Sequence, residues 1–434
     1  MENTSKEYRV DEKKGGSIKL LTLNTWGLKY VSRFRAARIR AIADRLSEQK
    51  EGDDYDIVAL QEVWVEEDWN YISNKCHAVY PFRRIFKAGI ITGPGLALLS
   101  KIPIESTMLY RFPVNGRPSA FYRGDWYVGK SMAVALLKPH QWGQRPIALL
   151  NSHMHAPYAA TGDSSYYCHR ACQAWDLATQ INMIRKAGYA VIQVGDLNSK
   201  PGTLPYKLFT LEGGLRDSWD MCQKDNPLAA KTEEQLALMS PKDQIIMGGV
   251  TCNSRLNTWN SSRRSSEACR LDYALIDSSR IIPTSAAIKF TEVLPPPYEC
   301  SYSDHFAYSF EFYLSHADSE LPTQEVSRDE KLLLYKELLS EIARYRNNDL
   351  VFQSRWRKWH FLFSIVMVVG IHVGIPFASM ASSWSSVLLL FLCTVVAVTG
   401  TMNGLIWFLS ISSELRALQE VVLQVEDKFS TVQG

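Results

Sequence analysis

Short apolar runs rich in β-branched residues recur along the first three quarters of the chain. They fall at 18–23, 57–60, 95–99, 132–137, 146–151, 190–194, 270–276 and 306–312. Runs of this kind, bounded by turn residues, predict buried strands. Two intervening stretches follow a helical period instead. In 35–47, Ile39, Ile42 and Leu46 share a face; in 171–186, Ala174, Leu177, Ile181 and Ile184 do. Strands outnumber helices, and several follow one another directly. That predicts a mixed-sheet α/β sandwich over 18–314 rather than a doubly wound sheet. Residues 221–250 are polar and helix-like, and read as an insertion.

Beyond 314 the pattern changes. Residues 321–353 are charged, with Leu332, Leu333, Leu338, Leu339, Ile342 and Tyr345 as an apolar stripe. The stretch 414–429 repeats this with Leu415, Leu418, Val422 and Val425. Each reads as a spacer, or as a helix docking onto the catalytic domain, the membrane or a second copy. Between them, Phe361 to Ser413 holds no Asp, Glu, Lys or Arg. A membrane span needs about 20 mostly apolar residues, and this window holds two, at 360–380 and 387–410. Ser382, Ser383, Ser385 and Ser386 around Trp384 make the turn. The alternative is a buried hairpin in a soluble protein, but a run without a charged face favours lipid.

Arg355, Arg357 and Lys358 precede the first span, so the positive-inside rule places the large domain in the cytoplasm. Trp356, Trp359 and Trp407 suit the interface. The expected organisation is a disordered tail (1–17), a catalytic domain (18–314), a linker and juxtamembrane helix (315–359), a transmembrane helical hairpin (360–410) and a C-terminal cytoplasmic helix and tail (411–434).

Of the 434 residues, 48 are Lys or Arg and 45 Asp or Glu, a net charge of +3. That argues against nucleic acid as partner. Eight cysteines include no CxxC pair and suggest reduced, mostly buried thiols. The first 19 residues have no apolar core, so no signal peptide is expected.

Candidate chemistry sits at strand ends. Asn24 closes the first strand in LLTLNTWG, and Glu62 the second in IVALQEVW. An acid there needs a partner, and Mg2+, bound through one or two carboxylates, is a natural one. His153 and His155 leave a strand in NSHMHAPY; period-two alternation puts both on one face. Asp196 and Asn198 in VGDLNSKP share a direction by the same argument, with a structural Asx-turn as the plainer account. Asp272 interrupts an apolar strand in CRLDYALI. Asp304 and His305 in SYSDHFAYS precede the last strand. An Asp beside a His orients an imidazole, or binds metal while the His acts alone.

This ordered set, Asn, Glu, His, GDxN, strand Asp and SDH, resembles the DNase I-like endonuclease/exonuclease/phosphatase superfamily over about 18–314. The segments TGPGLALLSKIPI, RGDWYVGKS, NSHMHAPY, CHRACQAWDLA and ACRLDYALID, with the trailing spans, resemble its neutral sphingomyelinase branch. Within that branch the likeness is to the fungal inositol phosphosphingolipid phospholipase C type. The resemblance implies a four-layer α/β sandwich and a Mg2+-dependent phosphodiesterase cutting inositol phosphosphingolipids and sphingomyelin to ceramide. It also implies stimulation by phosphatidylserine and cardiolipin, and residence in endoplasmic reticulum and mitochondrial membranes.

Carried onto this chain, Glu62 holds Mg2+ with Asn24 close by. Asp196 and Asn198 position water and phosphate. His305 is the general base, with Asp304 beside it. His153 contacts the phosphoryl oxygens and His155 stands behind. Asp272 orients one of the histidines. Asp125 and Lys130 match an Asp–Lys pair, five apart, that rearranges on activation; a surface salt bridge is the alternative. Arg355, Arg357 and Lys358 contact anionic lipid or serve topology alone. A loop of Phe112, Pro113, Val114 and Pro118 dips into the bilayer or packs in the core. The helices flanking the hairpin suggest a homodimer. Competing readings are an inositol polyphosphate phosphatase, a nuclease of the same fold and a catalytically dead tether.

Overall fold

A computed structural model describes residues 16–139, 145–157, 166–230, 232–315, 321 and 326–433. The expected tail lies almost wholly outside the described residues, as does much of the linker after 315.

The twelve strands among the described residues form two six-stranded mixed sheets. The first contains β1 (Ile18–Asn24), β2 (Ile57–Gln61), β3 (Phe82–Ile85), β4 (Ala97–Ser100), β11 (Ile281–Lys289) and β12 (Ala307–Leu314), in the order β11-β12-β1-β2-β4-β3. The second contains β5 (Ile104–Arg111), β6 (Ser131–Leu137), β7 (Ile147–His153), β8 (Ala190–Asp196), β9 (Arg216–Asp217) and β10 (Asp272–Ile276), in the order β5-β6-β7-β8-β10-β9. Each of the eight expected apolar runs is a strand. The unanticipated strands β3, β5 and β11 carry polar and half-exposed residues, and β9 has only two residues, so none shows a buried apolar run.

Alternating side chains explain the layering. Leu20, Ala59 and Leu98 of the first sheet meet Ala135, Leu149, Ile192 and Ala274 of the second in a central core. Leu21, Leu23, Val58 and Leu60 turn outward onto helices Arg35–Glu48 and Glu66–Lys75. Val134, Leu150, Val191 and Leu275 turn outward onto helix Tyr167–Lys186. The result is helix, sheet, sheet, helix, the expected four-layer sandwich. The insertion forms helices Glu233–Leu238 and Pro241–Gly248 and adds no strand among the described residues.

The C-terminal part is two long helical rods. Arg328–Ala381 runs as one 54-residue helix, about 80 Å long at 1.5 Å per residue. Ser382, extended at φ −159°, breaks it, and Ser383–Gln433 returns. Both contain long apolar stretches that are almost wholly exposed within the chain. Where they cross, small residues let the backbones approach. A Cβ on Gly400 would lie 2.4 Å from the Ser364 Cβ, and one on Gly404 2.6 Å from the Phe361 ring, the close packing used between helices in lipid.

The outer ends of the rods dock on the catalytic body. Leu334, Tyr335, Leu338, Ile342 and Tyr345 from one, with Leu418, Val421 and Val425 from the other, join the core around helix 167–186. Leu338, Ile342 and Tyr345 of the expected stripe are buried, and only its start differs: Leu333 is exposed and Leu334 buried. Each buried side chain contributes roughly 1.5–3 kcal/mol, so these segments are docked helices and not spacers. A polar seam fixes their register. Glu414 accepts a 2.6 Å hydrogen bond from Tyr345 and lies 3.0 Å from His169 Nε2. Trp175 donates to Gln424 at 3.0 Å. The faces expected to pair two chains are thus occupied within one. Phe112 and Val114 are also buried in this core, so they pack and do not face a bilayer.

Candidate active site

The site forms where the two sheets end on the same edge. β1 delivers Asn24, the exit of β2 delivers Glu62, and parallel β7 and β8 deliver His153 and Asp196 in register. Antiparallel β10 sets Asp272 opposite Asp196. A bridge between His305 and Cys252 brings the loop before β12 alongside. Gly195 permits the tight β7–β8 approach: a Cβ there would sit 2.0 Å from the Ser152 carbonyl oxygen. Glu62 at φ 60° and Asn198 at φ 46° adopt left-handed backbone, strain of the kind held at functional sites.

Asn24 ties the two halves together. Its amide donates to Glu62 Oε1 and to Asp196 Oδ2, both at 3.1 Å. Its side-chain Oδ1 accepts from the Trp26 N–H at 3.0 Å. Trp64 Nε1 reaches the other Glu62 oxygen at 3.3 Å. His153 Nε2 lies 3.5 Å from Asp196 Oδ2 and 3.8 Å from Glu62 Oε1. His305 Nδ1 meets Asp272 Oδ2 at 2.8 Å, which leaves its Nε2 3.8 Å from Asp196 Oδ2.

Several expectations are corrected here. Asp272, expected to orient one of the histidines, pairs with His305, so Asp304 is not the histidine's partner. The neighbouring Asp304 instead accepts from Ser303 Oγ at 3.2 Å and interacts with Glu62 by charge, because adjacent residues on extended backbone point apart. His155 does not share the direction of His153. β7 ends at His153, and the His155 ring packs against Tyr166 and His169, at 5.0 and 5.8 Å between centroids. Asn198 lies past the end of β8, so alternation stops there too. Its N–H closes an Asx-turn on Asp196 Oδ1, and its amide donates to the Met154 carbonyl, each at 3.0 Å. Asp125 and Lys130 are no surface pair: Nζ and Oδ1 are 3.6 Å apart and both side chains are buried. Arg355, Arg357 and Lys358 form no single cluster. Arg357 is buried against Asn403 and Gln353, whereas Arg355 and Lys358 line a different hollow with Trp359, since neighbours on a helix face different ways. Tyr158 of the NSHMHAPY segment lies outside the described residues.

Residues not anticipated hold the frame. Arg38, fully buried, donates to the carbonyls of Thr25, Trp26 and Tyr302. Gln61 donates to Asn151 at 2.7 Å and Thr22 at 3.0 Å, joining the sheets. Ser303 Oγ donates to the Asn24 carbonyl at 2.6 Å.

Electrostatics separate two histidines and three acids. Burial, with Lys130 and His305 nearby, holds His153 well below the usual imidazole range, so it is neutral. Burial also opposes charge on His305, but Asp272 and Asp196 outweigh it and raise it well above that range. Burial raises Glu62 and Asp304, and lifts Asp196 to about 7, with Asp272 adding to the effect. Burial likewise lowers Lys130 against the pull of Asp125, Glu62 and Asp196.

Buried carboxylates that resist ionising together are what a divalent cation relieves. Asp196, Asp272 and His305 have donor atoms within 4.8 Å of one another, enough to hold a metal ion. Glu62 and Asp304 carry further buried oxygen donors, whose charges oppose each other, and oxygen donors suit a hard cation.

The endonuclease/exonuclease/phosphatase family pattern matches residues 21–305. The chain belongs to this family. It is 47% identical to the inositol phosphosphingolipids phospholipase C of Saccharomyces cerevisiae, over 98% of this chain and 93% of that protein. The Schizosaccharomyces pombe protein of the same name is 35% identical, over 96% and 95%. Sphingomyelin phosphodiesterase 2 of Rattus norvegicus is 31% identical, over 82% and 78%. The family match ends at His305, so the docked rods lie beyond the part common to the family, while the yeast similarities cover almost the whole chain.

Proposed function

We propose that the protein is a Mg2+-dependent phospholipase C. It hydrolyses inositol phosphosphingolipids, and sphingomyelin, to ceramide and the phosphorylated headgroup, and anionic phospholipids stimulate it. The observation that carries this reading is the Asp272–His305 pair facing Asp196, with Glu62, Asn24 and Asp304 opposite, in a chain similar along its length to enzymes named for that reaction.

His305 Nε2, in the deprotonated form that Asp272 and Asp196 confine to higher pH, takes a proton from water, while Asp272 holds Nδ1 and favours the imidazolium that results. Asp196, hydrogen-bonded by Asn24 and the Asn198 N–H, orients that water. The water oxygen bonds to phosphorus, the bond from phosphorus to the ceramide oxygen breaks, and the departing alkoxide takes a proton from solvent. Neutral His153 donates to a phosphoryl oxygen, and Lys130 adds positive charge beside Glu62. Mg2+ held by Glu62, with Asp304 near it, supplies charge to the phosphoryl and leaving oxygens when bound.

The apolar stretches of the two rods span a bilayer, with catalytic body and C-terminus on the cytoplasmic side. Endoplasmic reticulum and mitochondrial outer membrane are the proposed sites. Anchoring keeps the enzyme among its substrates and raises their effective concentration.

The test is headgroup release by purified full-length protein in mixed micelles. Inositol phosphoceramide and sphingomyelin are offered separately, with and without Mg2+ and phosphatidylserine, and with Glu62→Ala beside the wild type. Mg2+-dependent release, lost in the variant, is expected. Nicking of DNA or release of inorganic phosphate from inositol polyphosphates, without headgroup release, overturns the reading.

A further inference from the structure

The insertion at 221–250 encloses a cavity of about 440 Å3 against the body. Lys200 and Arg270 line it from the body, and Glu233 and Leu236 from the insertion; helix Ser218–Cys222 adds Trp219 and Asp220. The insertion wall is fixed, because buried Gln244 donates to the Leu236 and Ser265 carbonyls at 2.9 and 3.0 Å.

The body wall continues the two strands that carry Asp196 and Asp272. The Leu197 N–H donates to the Leu271 carbonyl at 2.9 Å, one step beyond that pair. The Tyr273 hydroxyl then lies 2.7 Å from the carbonyl oxygens of both Ser199 and Arg270. At about 3.3 Å per residue, Arg270 stands roughly 7 Å along the chain from Asp272. Antiparallel β9 runs towards the same end of β10 and delivers helix Ser218–Cys222 there. The cavity therefore flanks the catalytic strand ends on the β10–β9 side. Lys130, at the start of β6, lies on the other side of β8.

Its charges cancel. Two cations and two acids line it among the described residues. Lys200 pairs with Glu233 at 3.2 Å, and Arg270 with Asp220 at 2.9 Å. Arg270 is 6% exposed, and its Nε is buried without a hydrogen-bond partner. Such a lining suits neither a free phosphate nor a quaternary ammonium. The latter takes a cage of aromatic faces, and Trp219 is the one aromatic among the described lining residues. Hydroxyls of an uncharged polyol both donate and accept, and each ion pair offers one partner of each kind. At roughly 30 Å3 per water, the space equals about fifteen waters, ample for a ring polyol.

We propose that this cavity is the headgroup subsite: the uncharged polyhydroxyl ring of an inositol phosphosphingolipid binds between the Lys200–Glu233 and Arg270–Asp220 pairs, while its phosphate lies at Asp196 and His305. The inference rests on the phospholipase reading and adds the residues that choose the headgroup. It also gives the insertion a task, as the outer wall of that choice.

Binding of released headgroups tests this apart from lipid turnover. Full-length protein in detergent with Mg2+ is titrated calorimetrically with inositol 1-phosphate or phosphocholine. The wild type is expected to bind inositol 1-phosphate about tenfold or more tightly, the difference that hydrogen bonds to charged groups make. Lys200→Met with Glu233→Gln replaces both members of a surface pair and leaves no orphaned charge. Affinity for inositol 1-phosphate should then fall about tenfold. In mixed micelles the ratio of kcat/KM for inositol phosphoceramide over sphingomyelin should fall likewise, through KM. Gln223→Ala, which removes a lining amide and keeps all four charges, should move the ratio the same way by less. An unchanged ratio in both variants, or equal loss on both lipids, overturns the proposal, as does equal affinity of the wild type for the two headgroups. Inositol 1-phosphate affinity that depends on Lys200 and Glu233, with no headgroup released from either lipid, would sink the phospholipase reading and leave the polyol subsite standing.

Discussion

Asp272 opens β10 and His305 lies in the loop before β12, yet their side chains meet at 2.8 Å in a buried contact. With Nδ1 held, the imidazole has one nitrogen left for chemistry, and that nitrogen faces Asp196. Asp272→Asn should lower kcat on the order of 10^3-fold with little change in KM, as expected when a histidine loses its orienting carboxylate. Asp272 also raises His305, so the acid limb of the kcat–pH profile should move to lower pH in the variant. A limb that stays in place would mean His305 is not the titrating base.

Glu62 receives hydrogen bonds on both oxygens, from Asn24 and Trp64. Glu62→Gln keeps the shape and removes the charge. Mg2+ affinity, measured calorimetrically, should fall by about 10–100-fold or more. Thermal stability without Mg2+ should hold or rise, because burial already opposes the charge on Glu62. Unchanged Mg2+ affinity would move the cation to the Asp196 side.

Asp125 and Lys130 are buried together, 3.6 Å apart. Removing one partner of such a pair costs about 3–5 kcal/mol, while replacing both with neutral residues is often tolerated. Asp125→Ala should therefore destabilise the protein and abolish lipid-stimulated turnover, with Mg2+ affinity intact. Asp125→Asn with Lys130→Met should recover the melting temperature but not the stimulation. Recovery of stimulation in the double variant would make the pair purely structural.

The parts legible from sequence share one physical feature: a polar residue at one end of a continuous apolar strand, closing β1 and β8 and opening β10. Asn24, Asp196 and Asp272 stand out that way, and the structure gathers all three. Alternation, however, holds only inside a strand. It misplaces His155 and Asn198 because β7 and β8 stop at His153 and Asp196. Gln61 and Asn151 look like ordinary strand-end polars, and their 2.7 Å contact joins two sheets 90 residues apart in sequence. Arg38 resembles a solvated helix charge until the four carbonyls of Thr25, Trp26, Arg33 and Tyr302 close around it. Docking of the rods is one option their apolar stripes leave open, but the stripes do not name the partner. The receiving face of helix 167–186 mixes His169, Gln173 and Asp176 among its buried residues, so it shows no clean apolar stripe.

That same helix supplies a test of stability outside the active site. Asp176 is buried, and burial pushes its carboxyl up to about 7, only partly offset by the Tyr110 hydroxyl. A folded-state value raised above the unfolded one means the native state holds the extra proton. Its contribution is therefore complete below the ordinary value of 3.8 and is lost as pH rises through about 7. Every tenfold gain in proton affinity on folding corresponds to about 1.4 kcal/mol. Asp176→Asn removes the charge and keeps an acceptor for Tyr110. The variant should melt several degrees above wild type at pH 8, at about 2–4 °C per kcal/mol, and should gain little at pH 5. An equal gain at both pH values would show that Asp176 is ionised in the fold throughout, and that something near it, unaccounted for by burial and Tyr110, neutralises the charge.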